Sequence, residues 1–365
     1  MGKLDFFEVG QDEFGSLDGF AGHITDAVDI DQIDGKLSII GSVANFNSKR
    51  QFVNSLDEQF EILRDLDQVL LMNGEGGVPI YIHINDMCPI FLTTGTKTKD
   101  QERTINPYLD SEGRISRLRV GKKQMEEIRK SIVQDFPSVL IPYFTAHHSA
   151  NADPQDDELS RQEITRSEFE RTIQYYGKDG RKAFKELKNK YGVYPTNVQF
   201  EAPERFKFRI TSNGTFTINS GDLSNPLRLI QESIENLKDV RGAIERSNYS
   251  EELTNEYTGS TLTKSEPWEI RIKSGLSEQK VRNFHASLDS RDWHFHPTRW
   301  DPSYDNQVGF RAEIADKISF GKTAVRTDGD TLRVFPRENS TFSQMMRLYT
   351  FSNDHLETNR VAAVQ

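Results

Sequence analysis

One cysteine, Cys88, stands in 365 residues, so no internal disulfide framework can form. No stretch approaches the run of about 18 apolar residues that a membrane-spanning helix requires. The opening segment, MGKLDFFEVG, is acidic where a signal peptide is basic and then apolar. Phe6 occupies the position where a myristoylation signal carries Ser or Thr. These absences read as a soluble, intracellular, cytoplasmic chain in a reducing compartment, with no membrane partner. Catalytic signatures are missing as well. There is no G-x-x-x-x-G-K-[ST] loop, since Gly321-Lys322-Thr323 lacks its upstream glycine. There is no G-x-G-x-x-G turn, G-x-S-x-G elbow, H-E-x-x-H helix or paired C-x-x-C either. No nucleotide cofactor motif is therefore present, and phosphate-loop hydrolysis and zinc-finger recognition are disfavoured.

The chain does have material for a core. Hydrophobic residues make up 35 %, with 23 Phe, against 28 % charged residues. Its net charge of −10 is unevenly spread. Residues 1–47 hold nine Asp/Glu against Lys3 and Lys36, whereas residues 161–209 hold twelve Lys/Arg against seven Asp/Glu. A local surplus of five positive charges in an acidic protein marks one region for a different electrostatic duty, or for a solvated helical face.

Periodicity predicts an α+β fold: two mixed α/β-layer domains, with antiparallel hairpins in the second. KLSIIGSVANF (36–46) reads as a strand. Phe52, Val53, Leu56, Phe60 and Leu63 fall at helical spacing over 48–66. Apolar runs at 68–72, 79–84 and 89–93 read as strands, and 120–135 as a helix, followed by a buried strand at 139–144. The polar stretch HSANADPQDDELS (148–160) reads as a linker or long loop between an acidic domain, 1–147, and a domain with the basic segment, 161–365. Helices are expected at 161–176 and 180–191. In RFKFRITSNGTFTINSG (205–221), alternation on both sides of Asn213-Gly214 predicts a tight hairpin with two positive-φ residues at its turn. Asn225-Pro226 has the form of a helix start. A strand at 267–273, a helix at 276–288, a short strand at 293–297, a second hairpin around Asp328-Gly329 and a helix at 340–350 complete the pattern.

The densest chemistry lies at 284–305, FHASLDSRDWHFHPTRWDPSYD, with three of the eight histidines and two of the three tryptophans. His285 and Asp289, four apart on a helix, share a face. His294 and His296, two apart on a strand, share another. If the pairs converge, imidazole and carboxylate suit a divalent metal such as Mn, Zn or Mg, and metal-bound water supplies a nucleophile for phosphodiester hydrolysis. The structural reading is that Phe284 and Leu288 already define the helix's inward face. The basic segment offers Arg171, Lys178, Arg181, Lys182 and Lys185 near Tyr175 and Tyr176, with Arg205, Lys207 and Arg209 on the polar face of the hairpin. Lys and Arg neutralise phosphates and aromatics stack on bases; an edge strand protected by charge gives the same pattern. Two weaker groupings are His147-His148 before an acidic loop, and His83 near Cys88, which reads more simply as a buried cysteine.

The sequence thus supports three classes of function. The first is a nucleic-acid-associated protein that holds phosphate backbone through the basic segment. The second is a metal-dependent nuclease using His285, Asp289, His294 and His296. The third is a non-catalytic subunit of a protein complex.

Overall fold

A computed structural model describes residues 14–27, 37–74, 77–93, 105–148, 171–191, 193–255, 260–273, 275–290, 293–303, 308–356 and 358–363. The fold is mixed α+β with antiparallel sheets, as the sequence pattern implies. It forms two compact units, residues 1–109 with 117–235, and residues 110–116 with 236–365.

The elements of the first unit run α1 (Leu17–Ala27), β1 (Leu37–Ala44), α2 (Lys49–Asp57), β2 (Glu61–Leu66), β3 (Val69–Asn73), β4 (Pro79–Asn85), β5 (Cys88–Thr93), α3 (Ile105–Ser111), β6 (Ile115–Arg117), α4 (Lys122–Asp135), β7 (Leu140–His148), β8 (Arg171–Tyr176), α5 (Gly180–Tyr191), β9 (Tyr194–Ala202), β10 (Phe206–Thr211), β11 (Thr215–Gly221) and α6 (Ser224–Arg246). The division between units falls inside α3, β6 and α6. Its main sheet has the strand order β2-β3-β4-β5-β1-β11-β10-β9-β7-β8. The boundary expected at 148–160 is therefore displaced. Most of that stretch lies outside the described residues, and the strands on either side of it, β7 and β8, are hydrogen-bonded neighbours.

Three local expectations need correction. The helix expected over 48–66 ends at Asp57, and Glu61–Leu66 pairs with β3 as a strand. Ser48 caps α2, its hydroxyl accepting from the Gln51 amide at 3.3 Å. Leu63 is left 43 % exposed, so the apparent helical stripe did not mark one buried face. Of the helix expected over 161–176, the described part, Arg171–Tyr176, is strand β8. In the turn between β10 and β11 only Gly214 takes positive φ (+77°), because the loop has three residues rather than two. That is the geometry of a turn closed by one left-handed residue. A Cβ on Gly214 would lie 1.5 Å from the Leu118 carbonyl oxygen, so both φ and space require glycine.

One side of the β7–β11 region is apolar and packed. Phe144, Val198, Phe200, Phe208, Ile210, Phe216 and Ile218 are buried. Phe184 of α5 meets Phe144 edge-on at 5.4 Å, and Phe136 meets Phe206 at 4.9 Å. Gly180 lets the start of α5 approach β7 closely, since a Cβ there would lie 1.9 Å from the Ile141 oxygen.

His83 on β4 is 1 % exposed and stacks on Phe20 at 6.3 Å. Neither ring nitrogen has a hydrogen-bond partner. Burial pushes its pKa from the ordinary 6.5 down to about 4, so the native ring is neutral. As pH falls from 6.5 towards 4, the unfolded chain gains a proton that the native chain refuses. The contribution is complete above 6.5 and lost across that window, about 3 kcal/mol in all. His83→Leu should flatten this part of the stability–pH curve; urea unfolding at neutral and mildly acid pH reads it, and an unchanged slope would contradict the assignment.

The second unit carries β12 (Asn248–Asn255), β13 (Ser260–Glu266), β14 (Trp268–Ile272), α7 (Glu278–Leu288), β15 (Phe295–Ser303), β16 (Gly309–Asp316), β17 (Lys322–Asp328), β18 (Thr331–Pro336), α8 (Phe342–Leu356) and β19 (Thr358–Ala363). β12 and β13 form a ribbon, and six strands form a sheet in the order β15-β16-β17-β18-β14-β19. Trp268, Phe284, Phe295, Phe310 and Phe351 fill its core. The β16–β17 turn is organised by Asp316, 1 % exposed. Its carboxylate accepts from the Ile318 and Ser319 amides at 3.3 and 3.1 Å, the Ser319 hydroxyl at 2.5 Å and the Arg347 guanidinium. Phe320 at the tip takes φ +58° and is 80 % exposed.

Candidate nucleic-acid interface

Of the His/Asp cluster, Asp289 and His296 meet, and no third metal-ligating side chain joins them among the described residues. His294 adopts φ +57° just before β15, so the two-residue alternation that would align it with His296 does not apply. His285 stacks flat on Trp300 at 4.4 Å, and partial burial there lowers its pKa. Asp289 is the C-cap of α7, and its carboxylate faces His296 Nδ1 at 3.5 Å and Lys317 Nζ at 2.5 Å. The Lys317 ammonium holds the Asp289 carboxyl below its usual range, with His296 adding to the effect. An ammonium thus sits on the carboxylate that was to bind a cation. Among the described residues no three His, Cys, Asp or Glu side chains come together as a metal site, which corrects the expectation that His285, Asp289, His294 and His296 converge. Asp292 and Asp305 lie outside the described residues.

Among the described residues the minor groupings give no site. His147 Nδ1 lies 3.2 Å from the Thr172 hydroxyl, and the acidic loop is outside the described residues. Cys88 points its thiol at the Asp86 oxygen at 3.4 Å, so it forms no hydrogen-bonded dyad with His83.

The basic segment divides between two layers. Lys178, Arg181, Lys182 and Lys185 are exposed on or beside α5, which packs on the apolar side of the sheet. Several neighbouring charges there are already engaged: Arg181 donates to the Pro137 oxygen at 2.7 Å, Lys182 lies 3.8 Å from Glu186, and Lys188 lies 3.3 Å from Glu126. Arg205 sits over the Phe136 ring at 5.7 Å. The Arg171 side chain is outside what is described. Lys207 and Arg209 alternate with Phe206, Phe208 and Ile210, and so point to the opposite, polar side.

That polar side carries a row that crosses five strands. Cross-strand register sets Tyr176 beside Tyr143, Tyr143 beside Gln199, Gln199 beside Arg209 and Arg209 beside Thr217. The Tyr143 and Tyr176 rings are 4.8 Å apart, and the Tyr143 hydroxyl bonds Thr145 at 2.7 Å. Tyr176, the last residue of the edge strand β8, is 73 % exposed, one of the few large hydrophobic side chains so open among the described residues. Its sequence neighbour Tyr175 turns the other way and stacks on Phe144 at 5.0 Å. Asn197, paired with Thr145 and Thr211, flanks the row on one side. Lys207, 2.9 Å from Glu201, flanks it on the other. Sequence reading named Lys207, Arg209 and Tyr176 but missed Tyr143, hidden in an apolar run, together with Asn197 and Gln199. The available signal was parity: these residues occupy the positions that alternate with buried Phe, Val and Ile.

Comparison with known proteins adds family context without a function. Residues 123–213 match the AF_0896_M family middle domain, a segment reaching from α4 to the β10–β11 turn and including most of this row. An uncharacterized protein of Archaeoglobus fulgidus is 23 % identical over 328 residues, covering 86 % of each chain. No solved structure matches. Among the described residues, no helix is long and apolar enough to cross a membrane.

Proposed function

We propose that this protein binds single-stranded nucleic acid on the polar face of β8-β7-β9-β10-β11. The observation that carries this reading is the adjacent pair Tyr143 and Tyr176, presented on the same face as Lys207 and Arg209. Exposed aromatic rings on a sheet accept unpaired bases, and basic side chains beside them follow the backbone. Duplex offers no free base faces, so single strands should bind more tightly.

The charge layout favours stacking over phosphate neutralisation as the main source of affinity. Among the described side chains, only Lys207 and Arg209 of the named cations lie on this face, and Lys207 already has Glu201. For single strands each neutralised phosphate contributes about −0.7 to the slope of log K against log salt, so two cations give at most about −1.4. Fluorescence anisotropy with a short labelled single strand, titrated with KCl, measures this. Absence of saturable binding at low salt would contradict the proposal, and a slope steeper than about −4 would place the contact on the α5 cations instead.

A further inference from the structure

We infer that this same face reads base identity and selects guanine, through Arg209 together with Asn197 and Gln199. The inference rests on the single-strand reading above and adds a substrate preference to it.

The buried polar atoms on this face without a hydrogen-bond partner include Nε of Arg209 on β10, Oδ1 of Asn197 on β9, and Oγ1 of Thr215 and Oδ1 of Asn219 on β11. Among the described residues, the Arg209 guanidinium meets no carboxylate, unlike Lys207 two residues before it. Native proteins rarely leave buried donors and acceptors unmatched, and an unpaired, partly buried guanidinium is the costliest of these. The unmatched set is of mixed kind: a planar donor fork, amide acceptors and a hydroxyl. A phosphate would satisfy the fork but leave an amide oxygen facing an anion. A base edge with both acceptors and donors satisfies both.

Guanine presents N7 and O6 as acceptors on one edge, and N1–H and N2–H₂ as donors on the adjoining one. The first pair fits an arginine fork, the commonest specific contact to this base. The second pair fits amide oxygens such as Asn197 Oδ1, with Gln199 in the same row as Arg209. Adenine offers N6–H₂ where guanine has O6, which would set a donor against the guanidinium. Tyr143 and Tyr176, the next residues in the row beyond Gln199, supply the stacking surface.

The test compares labelled GU-repeat and AU-repeat single strands, which share length and charge, with the full chain. The wild-type protein should bind the GU repeat at least tenfold more tightly. Arg209→Lys keeps the charge but loses the fork and should bring the ratio near one; Asn197→Ala should reduce it. Lys185→Ala, on the opposite layer, should leave the ratio unchanged. Equal wild-type affinities for both repeats would overturn the guanine reading while leaving the stacking platform intact. Loss of both affinities in parallel in Arg209→Met, at an unchanged melting midpoint, would also overturn it, by placing Arg209 on backbone phosphate. Failure of either repeat to bind at all would remove the platform as well.

Discussion

Arg347→Met should destabilise the protein by about 3–5 kcal/mol, the loss expected when one partner of a buried ion pair is removed. Arg347 is 6 % exposed and Asp316 1 %, and the guanidinium donates directly to the Asp316 carboxylate. It also lies over the Phe295 ring at 5.9 Å, so methionine would retain part of the packing and lose the charge. The Asp316 carboxylate would keep the Ile318 and Ser319 donors. Those three hydrogen bonds hold the effect towards the lower end of the range, without supplying a counter-charge. Asp316→Asn with Arg347→Met removes both charges together and should recover part of the loss. Urea unfolding at neutral pH compares the three chains. A cost below about 1 kcal/mol for the single variant would mean that water reaches the carboxylate and the pair is not the anchor of the β16–β17 turn.

Neither Asp316 nor Arg347 could be singled out from sequence. They are 31 positions apart, each ordinary in its own element, and only the packing of α8 against the sheet joins them. The same limit explains the other misses. Alternation made β10, β11 and β14 legible, since a period of two survives wherever one face is buried. It also made the polar face of β10 legible, including Lys207 and Arg209. It failed for Glu61–Leu66, where a strand with mixed exposure carries apolar residues that coincide with helical spacing. The metal cluster failed for a backbone reason. His294 leaves the extended region just before β15, and a single positive φ defeats a same-face argument made from spacing. The basic segment failed as one surface because a helix–strand boundary runs through it: α5 and β10 contribute their charges to opposite sides of the same sheet. Composition locates charge along the chain, whereas sheet topology decides which charges share a surface.

Tyr143→Ala with Tyr176→Ala should weaken single-strand binding by at least about 2 kcal/mol, roughly thirtyfold, since each stacked base is worth about 1–3 kcal/mol. Tyr176, 73 % exposed, contributes little to packing, so Tyr176→Ala alone should bind less tightly without loss of stability. Tyr143 is half-buried and its hydroxyl bonds Thr145. For that reason Tyr143→Phe with Tyr176→Phe is the informative companion: it removes the hydroxyls, keeps both ring faces and should retain binding. The most direct measurement is therefore the dissociation constant of one labelled single strand for the wild-type, double-phenylalanine and double-alanine chains, with a melting curve of each. The stacking platform predicts near-equal affinity for the first two and at least about a thirtyfold loss for the third. Unchanged affinity in a folded double-alanine chain, or no binding by the wild-type chain, would contradict it.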